Sequence, residues 1–347
     1  MKRKISIVLS IILILVLTIT GCSSQNNITK TDNSSNESTK KVVRIAFVSQ
    51  SDTLSDYGTG GIAQQKKYFE EEFKKIGYEP EYVPFSGGGP AINEAIVAKK
   101  LDFAIYGDLP SIVLKSKGIG VSLIGITNNS LNLDLIVSKN SSINSVQDIK
   151  GKKIIVTKGT IVQNYFQHLI DANNINISDV DVVNAGGDSV STFLSGSVDG
   201  LGTTDIQAQK LVQDGSAKII HSTVDKLDWS SQNVVLSRDD FAKDNPDAPV
   251  ALLKALIRGK NLIKDTSDKN EIYKFFDTGL GEAPTKKAFG FDGEKFDFAS
   301  VEINSNSVNK LKDLNKFLLD QKLINNSVDI DKYVNTTYYD KAIKELK

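Results

Sequence analysis

An α/β protein of two lobes is what this sequence predicts, and three observations predict it. From Val42 onward, short β-rich runs alternate with helical stretches. The alternation pauses in the polar stretch 139–152 and then restarts. The folded body takes about 300 of the chain's 347 residues, room for two cores. Mostly parallel sheets flanked by helices follow from this pattern. Ligands of open α/β sheets sit beyond the carboxyl ends of the strands, so two facing lobes would set two groups of strand-to-helix loops across one cleft.

The leader comes first. Lys2, Arg3 and Lys4 form a basic head, residues 5–19 an almost unbroken apolar core, and Thr20-Gly21-Cys22 a small-residue exit. That is the pattern of a signal peptide over 1–21, with an apolar run shorter than the roughly 20 residues of a bilayer-spanning helix. Cys22 is the chain's only cysteine, so no disulfide can form within it. Residues 23–41, rich in Ser, Asn, Thr and Lys, cannot bury enough surface to fold and read as a flexible tether. Removing the leader takes the balanced formal charge to about −3, and nucleic acid is not an expected partner of such an exported chain.

The body is expected as a first lobe over 42–137, a second lobe over 138–230, and a return to the first lobe with C-terminal helices over 231–347. In the first set, 42–48 reads as a strand, 62–76 as a helix, 81–85 as a strand, 90–99 as a helix and 103–106 as a strand. A short helix after Pro110, a strand over 121–126 and an extended run over 133–138 complete it. The second set has strands at 153–157, 180–183, 200–203 and 217–221, with helices at 162–173, 189–194 and 206–213 between them. An extended run follows at 233–237, and the chain is mostly helical from 247.

Four junctions draw attention. In "FSGGGPAINEAI", Ser86, Gly87, Gly88 and Gly89 precede Pro90, which suits the first turn of a helix. The start of that helix offers unpaired N–H groups and the positive end of its dipole, with no side chains in the way. The motif is either a seat for a small anion or a tight turn that binds nothing. Ser51 and Tyr57 belong to the Gly-rich junction after the first strand. Tyr106 and Asp108 lie in "YGDLP", where Asp108 either caps a helix or faces a ligand cation. Thr160 is the expected N-cap of the helix after "TKGT".

The run 145–166, "SVQDIKGKKIIVTKGTIVQNYF", resembles the second-lobe entry of the solute-binding lipoproteins of sulfonate, taurine and nitrate ABC transporters. "AIVAKKLDFAIYGDLPSIV" at 95–113, "VSTFLSGSVDGLGTTD" at 190–205 and "LSRDDFAKDNPDAPVALLKAL" at 236–256 are similar to further blocks of that family. Ile19-Thr20-Gly21-Cys22 resembles a lipobox, which would make Cys22 a lipid attachment site on the extracytoplasmic face of the cell membrane. The resemblance implies a periplasmic-binding-protein-like (Venus flytrap, type II) fold with a two-strand hinge. It also implies a cleft closing on a small organic anion, an aliphatic sulfonate or taurine, with delivery to a permease served by a separate ATPase. Ser86 to Gly89, Asp108, Thr160 and Asp205 fall at positions matching the family's ligand-facing motifs. The chain departs from the family with Thr160-Ile161 where relatives often carry Ser-Ser, and Thr204-Asp205-Ile206 where they often carry Trp-Asp-Pro.

Ionised sulfonates need hydrogen-bond donors more than acid–base chemistry, and backbone N–H groups with hydroxyls supply them. Asp108 or Asp205 would pair with the ammonium of taurine. Tyr57 and Trp229 would wall the carbon part of the ligand, or else simply pack between lobes. An enzyme is not expected: His168 and His221 form no metal or catalytic spacing, and neither a nucleophile elbow nor a phosphate-binding Gly-Lys motif is present. No metal or cofactor is expected. Nitrate, a thiamine-precursor pyrimidine, and a surface adhesin or sensor are the alternative readings.

Overall fold

A computed structural model describes residues 41–49, 58–277, 279 and 281–347. The leader, Cys22, Ser51 and Tyr57 lie outside the described residues. Ten strands form two five-stranded sheets, ordered β2-β1-β3-β10-β4 and β7-β6-β8-β5-β9. The first holds β1 (Lys41–Val48), β2 (Tyr78–Phe85), β3 (Phe103–Gly107), β4 (Val121–Leu131) and β10 (Ser231–Arg238). The second holds β5 (Leu133–Ser138), β6 (Lys153–Ile155), β7 (Asp181–Val183), β8 (Gly200–Thr204) and β9 (Ala217–Ser222). β5, assigned to the first lobe from the sequence, is thus a strand of the second sheet.

Both sheets are mixed. β1 runs parallel to β2 and β3, and β6 runs parallel to β7 and β8. β10 is antiparallel to β3 and β4, and β5 is antiparallel to β8 and β9. The antiparallel pairings arise where the chain crosses between lobes and enters a sheet from the opposite end. Asn132 alone separates β4 from β5, while two short 3₁₀ turns, Thr223–Asp225 and Leu227–Trp229, separate β9 from β10. The crossings are tied together: the Thr223 hydroxyl accepts the Leu133 N–H at 2.9 Å and lies 3.2 Å from Asn132 Oδ1, to which it donates. Lys310 Nζ reaches the carbonyls of Asn129, Leu227 and Ser230 at 3.1 to 3.3 Å, and so fastens both crossings to one C-terminal helix.

Helices α1 (Thr59–Gln65) and α2 (Tyr68–Lys74) replace the single helix expected over 62–76. Lys67 between them is left-handed at φ 58°, and the run Gln64 to Lys67 has no apolar residue to hold a continuous helix against the core. The break turns Phe69 and Phe73 into a cluster with Leu252 and Leu256 of the long C-terminal helix Asp247–Asp265. α3 (Gly88–Val97) and α4 (Asp108–Ser116) follow β2 and β3. In the second lobe, α5 (Ile161–Ala172), α6 (Ser189–Leu194) and α7 (Asp205–Gln213) follow β6, β7 and β8. The largest cluster runs unbroken from Ala46 and Leu109 of the first lobe to Val162 and Leu169 of the second. A separate phenylalanine cluster, Phe276, Phe289, Phe296 and Phe298, packs near the start of α7 through Ile206.

Candidate functional site

A cavity of about 220 Å³ lies between the lobes, where β2, β3, β6 and β8 give way to helices. The first lobe contributes Ser86, Gly87, Gly88, Gly89, Gly107 and Asn233, and the second contributes Thr157, Thr160, Ser189, Thr203, Thr204 and Gln207. Its apolar surface comes from Val48, Pro110 and Leu131 on one side and Ile161, Val162, Val190 and Ile206 on the other. Among the described lining residues there is no acid, base or aromatic ring.

The helix that starts at the glycines is uncapped: its N-cap is Gly87, with no side chain to satisfy the first N–H groups. Gly88 takes φ 67°, and a Cβ there would point across the cleft to 3.9 Å from Thr160 Cγ2. A Cβ on Gly159 would stand 3.4 Å from Pro90, and one on Gly187 would stand 3.4 Å from Ser86. The lobes therefore meet, with the cleft shut around its cavity, and glycines form the surfaces of contact. The first turns of α3 and α5 face each other across it. α3 presents uncapped N–H groups, and both helices present their dipole ends, to the same space, an arrangement that attracts an oxyanion without a formal positive charge.

The residues singled out from the sequence divide sharply. Ser86, Gly87, Gly88, Gly89 and Thr160 line the cavity. Thr160 is the N-cap, accepting the Val162 N–H at 3.3 Å, and its hydroxyl hydrogen goes to the Thr157 carbonyl at 2.7 Å. Its proton is therefore spent within its own loop. Asp108 does not line the cavity. It is buried, accepting the Leu109 N–H at 2.9 Å and the Gln232 N–H at 3.1 Å, and so pins the start of α4 to β10. Burial lifts its pKa to about 6, against the pull of those N–H donors and of Lys310.

Asp205 turns away as well. It is buried at the start of α7, with Oδ1 accepting from Gln209 Nε2 at 3.0 Å. Tyr106 is buried beneath the glycine helix, its hydroxyl donating to Asn93 Oδ1 at 2.8 Å. Trp229 sits at the second crossing, stacked on His168 and His221 with centroids 6.1 and 5.9 Å away. These four positions combine a strand end or turn with a polar or aromatic side chain, which is also how a fold secures its own joints. Thr157 belongs to the junction "TKGT" but was not singled out as a site residue, and Ser189, Gln207 and Asn233 were not anticipated. Gln207 sits beside a motif already noted, whereas Asn233 reaches the cleft through a hinge strand more than a hundred residues from the glycines, and no local pattern marks it.

Two lobes, each a mixed sheet with helices on its faces, closing on a cleft at the strand ends, define the periplasmic-binding-protein-like fold. The model of the NMT1/THI5 like family matches residues 61–269, more than half of the chain, and the chain belongs to that family. A Bacillus subtilis (strain 168) relative named "Putative aliphatic sulfonates-binding protein" is 28% identical over 291 residues, covering 82% of this chain and 84% of its own. The Methylobacillus flagellatus KT protein described as "putative sulfonate ABC transporter, periplasmic sulfonate-binding protein SsuA" superposes with a TM-score of 0.71 at 28% identity, over 88% of this chain and 94% of its own. The alkanesulfonate-binding protein SsuA from Xanthomonas axonopodis pv. citri, solved with MOPS bound, gives a TM-score of 0.70 at 20% identity, over 85% of this chain and 98% of that one. The desulfurization enzyme DSZB shares the fold at 13% identity and a TM-score of 0.66, covering 88% and 100%. The architecture by itself thus accommodates chemistry as well as capture.

Proposed function

We propose that this chain is the extracytoplasmic solute-binding component of an ABC importer and captures an aliphatic sulfonate in the interlobe cleft. The observation that carries the reading is the uncapped, glycine-lined start of α3 facing the start of α5 across a cavity without charged lining among the described residues. Backbone N–H groups would bind the sulfonate head, and Leu131, Ile161, Val162, Val190 and Ile206 would receive the alkyl chain. The relatives named for sulfonate binding support the same class of ligand.

The lining ranks the alternatives. Taurine carries an ammonium, and neither Asp108 nor Asp205 is turned toward it, so an alkanesulfonate is favoured over taurine. Nitrate has no use for the apolar walls. A pyrimidine finds no ring to stack on among the described lining residues. With no titratable side chain in that lining, we assign the cleft binding rather than catalysis. Export by residues 1–21, lipid attachment at Cys22, a tether over 22–41 and handover to a permease with its own ATPase complete the proposal.

The test is a thermal-melt screen of the purified protein against short alkanesulfonates, taurine, nitrate, a thiamine pyrimidine and carboxylates. A ligand at about 100 times its dissociation constant adds roughly 2.7 kcal/mol of stability. An upward shift with alkanesulfonates above all others is expected. A shift with nitrate or the pyrimidine alone would replace the substrate, and no shift with any compound would move the reading to a surface adhesin or sensor.

A further inference from the structure

Behind the cleft, at the point where the chain first crosses between lobes, two carboxyl groups are buried against each other. Asp134 on β5 is 0% exposed and Asp205 at the start of α7 is 3% exposed. Neither oxygen of Asp134 has a hydrogen-bond partner of good geometry, the Ser222 hydroxyl opposite being the donor in reach, and Oδ2 of Asp205 also lacks one. Nδ2 of Asn132, which directly precedes β5, is also buried and without a partner. Asp205 and Asn132 line a small cavity of about 20 Å³ together with Phe289, Phe291 and Phe298. Those rings end or follow the C-terminal helix Glu282–Phe289, which packs on α7, so the seam runs between the second lobe and the C-terminal part of the first.

The groups around the pair offer no positive charge. Thr203 of β8 and Ser222 of β9 flank Asp134 in register. Tyr165 of α5 approaches from the face of the sheet, its hydroxyl 3.0 Å from His221 Nδ1. Gln209 contacts Asp205, and the phenylalanine wall is apolar. Two carboxylates side by side in such a place cannot both be ionised, so one proton must lie between them. Burial, with the Asp205 charge adding to it, raises the Asp134 pKa, and Asp134 is then the donor to Asp205.

We propose that closure of the lobes is coupled to uptake of one proton by the Asp134–Asp205 pair at the strand crossing. Opening draws the Phe289–Phe298 wall off Asp205 and admits water, and each hydrated acid then ionises near its ordinary value. Closing removes the water and requires one acid to become neutral. A group whose pKa is raised in the closed state favours that state at low pH and opposes it as pH rises. Between the hydrated and the raised values, each pH unit therefore weakens closure, and any ligand affinity linked to it, by up to tenfold. The coupling rests on the proposed ligand only in its last consequence.

Infrared spectroscopy and small-angle scattering of the full chain across pH 5 to 9 test it, beside Asp134→Asn, which keeps a neutral donor of the same shape. At pH 8, above the Asp108 value of about 6, the wild type is expected to show the carbonyl stretch of a neutral carboxylic acid, absent from Asp134→Asn, and it is expected to lose compactness and alkanesulfonate affinity as pH rises. Asp134→Asn is expected to stay closed and hold constant affinity. Absence of the neutral-acid band, or equal pH profiles in the two proteins, would overturn the coupling. Failure of alkanesulfonates to bind at any pH, with the band and the scattering change present, would overturn the proposed substrate and leave the coupling standing.

Discussion

Gly107 at the end of β3 lies directly under Ile161 at the start of α5, so close that a Cβ at 107 would stand 2.6 Å from Ile161 Cγ2. The two residues belong to different lobes, so their contact depends on the lobes meeting at this point. Glycine at 107 is thus a condition of closure rather than of folding, since its backbone is ordinary extended chain at φ −63°.

Gly107→Ala is accordingly expected to weaken ligand binding by roughly tenfold, about 1.4 kcal/mol, at the lower end of the cost of overpacking a tight contact. The melting temperature of the ligand-free protein stays nearly unchanged. Calorimetric titration beside thermal unfolding separates the two effects, and adding Ile161→Ala restores affinity if the clash is the cause. A loss of stability equal to the loss of affinity would show that Gly107 serves the fold instead.

Gly88 is a different case, because it is left-handed at φ 67° and its missing Cβ points at Thr160. Gly88→Val forces a β-branched residue into that backbone and fills the mouth of the glycine loop, and it is expected to abolish measurable binding at a stability cost of about 1 to 3 kcal/mol. Gly118→Val supplies the control, with φ 78° and nothing within 4 Å of its Cβ. It pays the same backbone penalty far from the cleft and is expected to bind normally. Equal affinity losses in both variants would remove the glycine loop from the site.

His168 and His221 contribute to the loss of stability in acid. Burial lowers both pKa values from 6.5, because the imidazoles stacked on Trp229 resist charging. The unfolded chain binds protons first as pH falls, so their contribution is fully present above about pH 6.5 and is lost below it. Asp108, with its pKa raised to about 6, acts in the opposite sense, so the histidine share is read as a difference between variants. His168→Phe keeps the ring between Trp229 and Phe317 and is expected to flatten the fall in melting temperature from pH 7.5 to 5. An unaltered slope would clear His168 of the effect.

The sequence was most legible where structure is local. The alternation of strands and helices, the restart in a second lobe, Pro90 in the first turn of α3 and Thr160 as a cap all depend on residues within a few positions of one another, and each was read from them. The cleft-lining glycines came through the same signal, since bare backbone before a helix is written in consecutive residues.

Tertiary structure decided the rest. "YGDLP" and "TTDIQ" announce an acid at a helix start, but only the arrival of Gln232 from a strand 124 positions away turns Asp108 inward, and only the strand crossing buries Asp205 beside Asp134. The same long-range pairing moved β5 into the second sheet, made both sheets mixed and brought Asn233 to the cleft. A side chain's local spacing fixes which element it rides on. Which neighbour it meets, and hence whether an acid greets a ligand, holds a joint or keeps a proton, depends on where distant strands join, because the desolvation that sets its charge exists only once those strands have closed over it.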